Sequence, residues 1–347
     1  MVSWRKQMTL DFLAFFWAMQ AGVGALDMAV MKPDASYFFA TPLVLASRAS
    51  TLAMAQAELV RVALKPVASR IEPFTTKGDL ILDRPLVEVG GKGVFIKELE
   101  RSLLAGESDA AVHSMKDMES DFAAGTMIGA VLPREDRRDA LVGSYADLDA
   151  LPDGAIVGTS SVRRRALLLH HRPDLRIKLL RGNINKRIAK LNQGDYDAII
   201  LAVAGLKRLK LSLDYTPLDE KLMPTAAAQG ALAVQLCDPS LAQGEKAIRQ
   251  QAVFDAISPL ACVNSTIEVT AERAMLAHLD GSCHTPIAAS ARFVDDKTLR
   301  LDGMVLSSDG SAAFRRTMTA SKDEAVALGI KVGVALLDDA GGRGFLA

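Results

Sequence analysis

Short apolar runs alternate with amphipathic segments of helical period along the middle of the chain. The first such pair is the apolar run Leu43–Ala46 and the segment Thr51–Leu64, in which apolar residues recur every three or four positions. The same criteria predict further strands at Ala110–Val112, Ile156–Gly158, Ile177–Leu180 and Ala198–Leu201, and further helices at Val94–Leu104, Val162–His170, Ile184–Leu191 and Gly205–Lys210. Strands that alternate with helices predict an α/β fold with parallel sheets.

The pattern changes after Thr270. It predicts a helix at Ala271–Leu279, three strands at Ile287–Val294, Leu299–Val305 and Ala312–Thr319, and a closing helix at Lys322–Leu336. Consecutive strands between two helices indicate a small α+β domain. Earlier in the chain, Lys77–Lys92 combines glycines with charged residues and is predicted to be a mobile loop.

Positive charge is concentrated in one part of a chain whose formal net charge is zero. Residues 158–210 hold eight Arg and five Lys against three Asp, an excess of ten positive charges. Several arginines follow predicted strands, at the edge where open α/β sheets bind ligands. They are Arg48, Arg163, Arg164, Arg165, Arg181, Arg187 and Arg208. Guanidinium groups pair with carboxylates in a bidentate manner, so the pattern favours a polycarboxylate ligand, and no P-loop or GxGxxG string supports a phosphate.

Three of these arginines, Arg163 to Arg165, stand in the first turn of the predicted helix Val162–His170, which Ser161 caps. Cations at this end oppose the helix dipole and repel one another. An anion bound there would offset both effects, because backbone N–H groups, hydroxyls and guanidinium groups converge at the same point.

Two further side chains are candidates for chemistry. Asp117 follows the predicted strand Ala110–Val112 and is either a cap or ion-pair partner, or a carboxylate that stays ionised beside arginines and stabilises a cationic intermediate. Cys283 lies in a Gly-Ser turn and is either an inert small side chain or a nucleophile. Cys237 and Cys262 lie in apolar stretches and are interpreted as inert.

The cysteines also bear on location. They form no CxxC pair, and their odd number favours a reducing compartment, the cytoplasm. No His and Cys set has zinc-ligand spacing, so no metal site is predicted. The apolar segment Phe12–Leu26 superficially resembles a signal peptide, but it has no small-residue cleavage site and is short for a membrane span. We interpret the residues before Pro42 as an extension, or as the result of a misassigned start with Met31 as the true one.

Longer strings resemble a known family. They are Thr76–Asp79, Ile81–Leu86, Gly90–Glu100, His113–Asp117, Arg134–Asp136, Arg138–Ala140, Val157–Ser161, Leu180–Asn183, Ala198–Leu206, Thr270–Ala274 and the cysteine loop Leu279–Pro286. In this order and spacing they resemble the porphobilinogen deaminases, also called hydroxymethylbilane synthases, from about Pro42 to the carboxyl terminus.

The resemblance implies an enzyme of tetrapyrrole biosynthesis that condenses four porphobilinogen molecules head to tail into hydroxymethylbilane and releases ammonia. It implies a dipyrromethane cofactor, held by a thioether to Cys283, and Asp117 as the catalytic carboxylate. The other implied site residues bind acetate and propionate groups or line the cleft. They are Lys116, Ser161, Arg163, Arg164, Arg187 and Arg208 for the cofactor, and Arg48, Ser50, Arg181 and Phe95 for the substrate.

The fold that the resemblance implies is α/β, with two doubly wound domains like those of periplasmic binding proteins and a small α+β carboxyl-terminal domain. The expected division is an N-terminal extension at 1–41, expected to be poorly ordered, a first domain at 42–136 and 231–258, an arginine-rich second domain at 137–230, and a third domain at 259–347 that carries Cys283. The resemblance also implies a monomer, with Lys77–Lys92 as a lid and with no nucleic acid or membrane partner.

The sequence departs from the family pattern at four places. Met118-Glu119 stands where Val-Pro is usual, Ala228 replaces the first glycine of Gly-Gln-Gly, Gln235 stands at a position of Glu, and Val263-Asn264 stands where His and an acid often occur. None of these touches the implied nucleophile, acid or arginines.

Two other functions account for part of the pattern. A non-catalytic anion-binding protein of the same two-lobed fold would explain the arginines but gives no reason for Cys283 in its loop. A nucleic-acid-binding protein would use the positive segment, but no Phe, Trp or Tyr lies between Gly158 and Asp195 to stack on bases.

Overall fold

The computed structural model describes residues 41–76, 78, 95–119, 122–281 and 285–346, and all structural statements below concern these residues. In chain order the strands are β1 (Leu43–Arg48), β2 (Ser69–Phe74), β3 (Ala110–Ser114), β4 (Thr126–Val131), β5 (Asp139–Val142), β6 (Ile156–Gly158), β7 (Arg176–Lys178), β8 (Ala198–Ala202), β9 (Tyr215–Pro217), β10 (Leu232–Cys237), β11 (Ile287–Phe293), β12 (Thr298–Leu306) and β13 (Ala313–Ser321). The α-helices are α1 (Thr51–Ala63), α2 (Lys97–Ala105), α3 (Val162–His171), α4 (Ile184–Asn192), α5 (Val203–Arg208), α6 (Gly244–Ile257), α7 (Val263–His278) and α8 (Ala325–Asp339).

The first sheet has the strand order β2-β1-β3-β10-β4. Strand β1 is parallel to β2 and β3, whereas β10 is antiparallel to both of its neighbours. Apolar residues of α1 and α6 pack on one face, among them Val60 and Ile257. Leu99 and Leu103 of α2 pack on the other face. The sheet is therefore covered on both sides, as the alternation of strands and helices predicts.

The second sheet repeats this plan with the order β7-β6-β8-β5-β9. Strand β6 is parallel to β7 and β8, and β5 is antiparallel to β8 and β9. Leu167 and Leu168 of α3 pack on one face, and Val203 and Leu206 of α5 belong to the core on the other.

One strand in each sheet is therefore reversed, which corrects the prediction of purely parallel sheets. The reason lies in the two crossovers between the sheets, residues 132–138 and 218–231. Each crossover leaves one sheet and enters the other at the edge formed by the carboxyl ends of the parallel strands. A strand that enters at that edge must run away from it, so β5 and β10 are antiparallel to their parallel-strand neighbours. Both crossovers thus lie at the same edge, where the charged residues follow the strands.

The third sheet is the antiparallel meander β11-β12-β13, and α7 and α8 pack against it. Helix α7 begins at Val263, eight residues before the predicted start at Ala271. The first two turns are rich in β-branched residues, which have low helix propensity. Burial overrides propensity here, because Val269 packs with Met115 and Val131 of the first sheet's region.

Four other predicted elements differ from the structure by one to three residues at both ends. The predicted Val94–Leu104, Ile177–Leu180, Gly205–Lys210 and Lys322–Leu336 correspond to α2, β7, α5 and α8, whose ends are given above. No prediction was made for β2, β4, β5, β9, β10 or α6. The fold class is confirmed: two doubly wound α/β units and a small α+β unit. In the described ranges no single helix is long and apolar enough to cross a membrane, and Gly244–Leu260 with Val263–His278 meets that criterion only as a pair bent by 98°.

A buried carboxylate joins the third sheet's helix to the crossovers. Glu272 of α7 is fully buried and accepts hydrogen bonds from Arg134 Nη1 (2.8 Å) and Nη2 (3.0 Å) on the first crossover. It also accepts from the backbone N–H of Ala228 (2.6 Å) on the second crossover and of Ala291 (2.7 Å) in β11. One side chain thus satisfies four donors from three segments.

The second crossover is conformationally constrained at two positions. Gly230 has φ +90°, and a Cβ there would lie 2.4 Å from the carbonyl oxygen of Glu135 on the first crossover, so only glycine fits. Ala228 has φ +60°, in the left-handed region that favours glycine. Its buried methyl packs in the same apolar cluster as Met115 and Val269, which offsets part of that cost.

We predict that Glu272→Ala lowers the free energy of unfolding by about 3–5 kcal/mol, because the substitution leaves the buried Arg134 guanidinium with only the longer contact to Glu268 at 3.4 Å as counter-charge. Glu272→Gln, which keeps one acceptor oxygen, should be intermediate. Urea denaturation followed by circular dichroism measures this. The matched control is Asp339→Asn, which removes a helix carboxylate from the solvent-exposed ion pair with Arg316 and should barely move the midpoint. Equal unfolding midpoints for Glu272→Ala and the control would show that Glu272 does not stabilise the junction of α7 with the two crossovers.

Candidate active site

The carboxylate Asp117 lies at the end of a single 3-10 turn, Met115–Asp117, which follows β3 directly. Met115 is fully buried and anchors the turn, whereas the Asp117 side chain is 39% exposed and can reach a ligand. Arg48, at the end of β1, places Nη1 3.8 Å from Asp117 Oδ2 and its guanidinium 4.1 Å above the centre of the Phe95 ring. Adjacent parallel strands therefore bring Arg48 and Asp117 together, as the sequence predicts.

Lys116 points from the same turn towards the second crossover. Its Nζ donates to Gln229 Oε1 at 3.0 Å. Burial lowers the pKa of Lys116 to about 8, and the charges of Arg164 and Arg163 act in the same direction, while Asp117 and Asp139 act against it. Lys116 is therefore only partly protonated near pH 8, and a nearby anion would favour the charged ammonium form.

Arg163 and Arg164, in the first turn of α3, are buried against Asp139, the first residue of β5. Arg163 Nη2 donates to Asp139 Oδ2 at 2.7 Å, and Arg164 donates from Nη2 (2.7 Å) and Nε (3.0 Å) to Oδ1. Both arginines also donate to backbone carbonyls, of Pro224 and Ile200. The anion that the helix end requires is thus provided in part by the protein itself. Arg165 is exposed and takes no part.

Asp139 stays ionised within this pair. Burial works to raise the pKa of Asp139, but the charges of Arg163 and Arg164 and the hydrogen bonds from Arg164 and Gln229 outweigh it and hold the pKa well below its usual range. One carboxylate faces two guanidinium groups, so a positive charge remains at this helix end. Arg163 Nε is buried without a hydrogen-bond partner, and a ligand oxygen would satisfy it.

Gln229 links the two sides of the site. Its Oε1 accepts from Lys116, and its Nε2 donates to Asp139 Oδ1 (2.8 Å) and to the carbonyl oxygen of Arg137 (2.7 Å). A continuous set of hydrogen bonds thus runs from the turn after β3, through the second crossover, to β5 and α3.

Three further arginines come from the second sheet. Arg181 is buried in the turn before α4, and Arg187 of α4 donates from Nε to the carbonyl oxygen of Gly182 at 2.8 Å. Burial lowers the pKa of Arg187 to about 10, Arg164 and Arg181 add to this by repulsion, and Asp117 opposes it. The Asp117 carboxylate therefore acts on Arg187 across the gap between the two sheets.

Arg208, at the end of α5, donates from Nη2 to the carbonyl oxygen of Gly230 at 2.6 Å. Burial lowers the pKa of Arg208 to about 10, against the opposing charge of Glu135. Both Arg187 and Arg208 remain cations at neutral pH. Burial weakens their solvation, which strengthens their attraction for an incoming carboxylate.

The remaining predicted site residues divide into two groups. Ser50 and Ser161 are N-caps: the Ser50 hydroxyl accepts from the N–H of Ala53 (3.3 Å) and the Ser161 hydroxyl from the N–H of Arg164 (3.4 Å). Cys283, in the connection from α7 to β11, lies outside the described residues. The lid prediction for Lys77–Lys92 falls outside them as well, apart from Gly78.

The structure adds two residues that the sequence argument missed as site residues, Asp139 and Gln229. Asp139 lies within a string that carries the family resemblance and Gln229 follows Ala228 in the segment that departs from Gly-Gln-Gly, but nothing in their spacing shows that Asp139 faces Arg163 or that Gln229 faces Lys116. The partners are 24 and 113 residues apart in the sequence, so only the tertiary fold reveals the contacts.

The arrangement can bind and orient a polycarboxylate. Five buried or half-buried cations, Lys116, Arg163, Arg164, Arg187 and Arg208, converge on a region whose own carboxylates are Asp117 and Asp139. Asp117 is the accessible carboxylate of the two and can act on a reacting group. Among the described residues no group of three or more His, Cys, Asp or Glu side chains is placed to hold a metal ion.

We predict that Lys116 reacts with acetic anhydride with a half-maximal rate near pH 8, because only the neutral amine is nucleophilic and burial lowers its pKa to about 8. Rates are read by peptide mass spectrometry over a pH series. The internal control is Lys207, whose pKa is raised above the usual lysine value by its hydrogen bond to Glu135. Superimposable pH profiles for the two lysines would contradict the prediction.

Comparisons with known proteins support the family resemblance seen in the sequence. Residues 43–242 match the family model described as "Porphobilinogen deaminase, dipyromethane cofactor binding domain", and residues 266–338 match "Porphobilinogen deaminase, C-terminal domain". A curated porphobilinogen deaminase of Ralstonia nicotianae is 47% identical over 308 residues, which cover 86% of this chain and 89% of that protein.

Solved structures give a weaker likeness. The VFT2 domain of Bordetella pertussis BvgS (14% identity, 63% of this chain, 85% of that chain) and the pyroglutamic-acid-binding receptor DctP7 of the same organism (12% identity, 64% and 78%) have TM-scores of 0.35 and 0.36. Values this low add nothing to the assignment, which rests on the two matched domains and the close relative. On that basis the chain belongs to the porphobilinogen deaminase family. It uses a dipyrromethane cofactor and synthesises hydroxymethylbilane.

Proposed function

We propose that the cleft between the two α/β sheets is where this chain condenses porphobilinogen, with Asp117 as the catalytic carboxylate. The observation that carries the proposal is the placement of Asp117: it is accessible, lies 3.8 Å from Arg48, and acts on Arg187 of the opposite sheet. A carboxylate so placed, in a region otherwise lined by cations, is suited to the chemistry of a substrate that carries two carboxylates and becomes cationic as it reacts.

Asp117 would act by charge and by proton transfer. When porphobilinogen loses ammonia, the pyrrole becomes a cation, and the Asp117 carboxylate stabilises it and accepts a hydrogen bond from the pyrrole N–H. The free α-carbon of the bound pyrrole chain attacks the methylene carbon of this cation, a proton then leaves that α-carbon, and the same carboxylate can accept it.

The cationic residues fit the cofactor's carboxylates. We propose that Lys116, Ser161, Arg163, Arg164, Arg187 and Arg208 hold the dipyrromethane, and that Cys283 bonds it through a thioether. The fit is supported by the positive charge left over at Asp139 and by the buried Arg163 Nε, which has no hydrogen-bond partner in the described part of the protein. When bound, the cofactor supplies the free pyrrole position to which the first substrate is joined.

The substrate's carboxylates would be bound by residues from both sheets. We propose Arg48 and Arg181 as their partners, with Ser50 at the start of α1 and the Phe95 ring lining the same region. Arg48 already contacts both Phe95 and Asp117, so a substrate held by Arg48 would lie beside the catalytic carboxylate. Proximity of this kind replaces a chance encounter with a fixed geometry.

We also propose that the protein works as a monomer in the cytoplasm, without a nucleic acid or membrane partner. The cysteine content supports a reducing compartment: Cys237 and Cys262 are free thiols, and Cys283 would carry the cofactor. We also propose the domain division expected from the sequence, in which residues 231–258 complete the first domain.

The attachment predicts a change in mass. Protein purified from porphyrin-producing cells should exceed the mass of the bare chain by one dipyrromethane, and the excess should map to the peptide with Cys283. Cys283→Ala should lose it, because the thioether needs the sulfur, while the control Cys262→Ala should keep it. A bare-chain mass that persists after incubation with porphobilinogen would contradict the attachment and favour a non-catalytic anion-binding protein.

The catalytic role predicts a kinetic change. Asp117→Asn should lower kcat by roughly 10²-fold or more, since the amide neither stabilises a cation nor accepts a proton. Cofactor loading, read by intact mass, should persist. The control Asp296→Asn changes an exposed aspartate in the turn between β11 and β12 and should keep wild-type rates. Near-normal turnover by loaded Asp117→Asn would show that another group does the chemistry.

A further inference from the structure

Arg273 of α7 binds the backbone that directly follows the turn carrying Asp117. Arg273 is 8% exposed, and its two terminal nitrogens donate to consecutive carbonyl oxygens, Nη1 to Met118 at 3.3 Å and Nη2 to Glu119 at 2.6 Å. Its guanidinium also lies over the Phe122 ring, 5.3 Å from the ring centre. A buried cation of the third domain thus holds the chain just after the catalytic carboxylate.

The chemistry of the guanidinium group makes this a defined contact. The group is planar and presents its N–H donors in a fixed fork, so two carbonyl oxygens bound by one fork are fixed relative to each other and to α7. Hydrogen bonds from a charged donor are also stronger than those between neutral groups. Phe122, beneath the guanidinium, packs against the apolar cluster that contains Met115 and Val269. Arg273 is therefore itself supported from the first domain.

The position of Asp117 depends on the backbone on both sides of it. Asp117 ends the 3-10 turn Met115–Asp117, which the N–H of Met118 closes by donating to the Met115 carbonyl oxygen at 3.1 Å. Hydrogen-bond geometry in a 3-10 turn is poorer than in an α-helix, so such a turn is easily distorted. Buried Met115 anchors the turn at its start, and Arg273 binds the backbone at its end.

The departure from the family pattern at Met118-Glu119 gives this contact more importance here. Where the family pattern has Val-Pro, the proline ring fixes φ of its own residue and restricts the preceding residue to extended conformations. Met118 has φ −85° and ψ 136°, which is the conformation that a following proline would impose. This chain keeps that path without the proline, and the two hydrogen bonds from Arg273 supply the restraint instead.

We propose that Arg273 is a positioning residue for Asp117, which it fixes relative to the third domain by holding the backbone after the turn. This rests on the proposed catalytic role of Asp117. Helix α7 ends at His278, shortly before Cys283 in the sequence, so one helix holds the catalytic turn and leads to the cysteine of the proposed thioether. Loss of the Arg273 guanidinium displaces the carboxylate and leaves the cations of the cleft in place, so it lowers kcat more than it changes KM.

The first test does not depend on turnover. The Met118 amide, which closes the turn, should exchange its hydrogen roughly tenfold faster in Arg273→Met, because this side chain has no donor for the two carbonyls and the turn opens more often. In Glu119→Pro/Arg273→Met the rate should stay within about threefold of that in Glu119→Pro, because the proline restrains the same backbone. Equal exchange at Met118 in the wild-type protein and in Arg273→Met would overturn the proposal.

The second test uses steady-state kinetics with porphobilinogen. Arg273→Met should lower kcat roughly tenfold and keep KM within about twofold of wild type, because the groups proposed to bind the substrate's carboxylates are unchanged. In the Glu119→Pro background the same substitution should lower kcat by no more than about threefold, a rescue that a general loss of stability would not give. Intact mass shows whether each variant carries the cofactor.

The matched control is Arg172→Met. Arg172 also donates to two backbone carbonyls, of Leu148 and Leu151, but it lies at the opposite end of α3 from Arg163, so its loss should leave kcat unchanged. If Arg273→Met does not fold, Arg273→Lys keeps the charge without the fork and should show a smaller fall in kcat at the same KM.

An equal fall in kcat with and without Glu119→Pro, or a change confined to KM, would overturn the proposal. A wild-type protein that does not turn over porphobilinogen would refute the proposed function, and the exchange rate at Met118 would still decide whether Arg273 holds the turn.

Discussion

The site depends on how much positive charge the protein leaves uncompensated. Asp139 faces both Arg163 and Arg164, so one carboxylate neutralises one of two buried cations. Without Asp139 the guanidinium groups would repel each other in a dry interior, and with a second carboxylate the site would lose its attraction for anions. This partial compensation allows the protein to fold without a ligand and leaves a positive charge that a bound anion can neutralise. Burial is the main cause of the lowered pKa values of Lys116 and Arg187, and repulsion from neighbouring arginines adds to it, as expected for such an excess.

Buried hydrogen bonds at the crossovers also fix the position of one sheet relative to the other. Gln229 joins Lys116 of one side to Asp139 of the other, and it lies on a crossover whose backbone is constrained at Gly230. Glu272 binds both crossovers to the third domain's helix α7. The geometry of the cleft thus depends on buried hydrogen bonds at the crossovers. Since each of these groups is buried and partnered, the position of each is well defined.

Periodicity and residue type predicted the parts of the fold that depend on local sequence. The strands β1, β3, β6 and β8 and the helices α1, α3 and α5 were predictable because apolar runs and caps such as Ser161 mark them. The start of α7 was not, because its β-branched residues favour helix only when packed against the first sheet. The reversed strands β5 and β10 were not either, since their direction follows from where the crossovers enter. In the site, the arginines after strands were predictable, but the pairing of Arg163 and Arg164 with an internal aspartate was not.

The position of β10 has a consequence for synthesis of the chain. This strand lies between β3 and β4 in the first sheet, although about a hundred residues separate it from β4 in the sequence. Until residues 232–237 leave the ribosome, β3 and β4 have no common neighbour and each presents an unpaired edge. The second sheet, whose strands are continuous in sequence, can close first. The usual order, in which the amino-terminal domain folds before the next, is therefore reversed here, and a chain interrupted before β10 would hold a finished second sheet and an open first one.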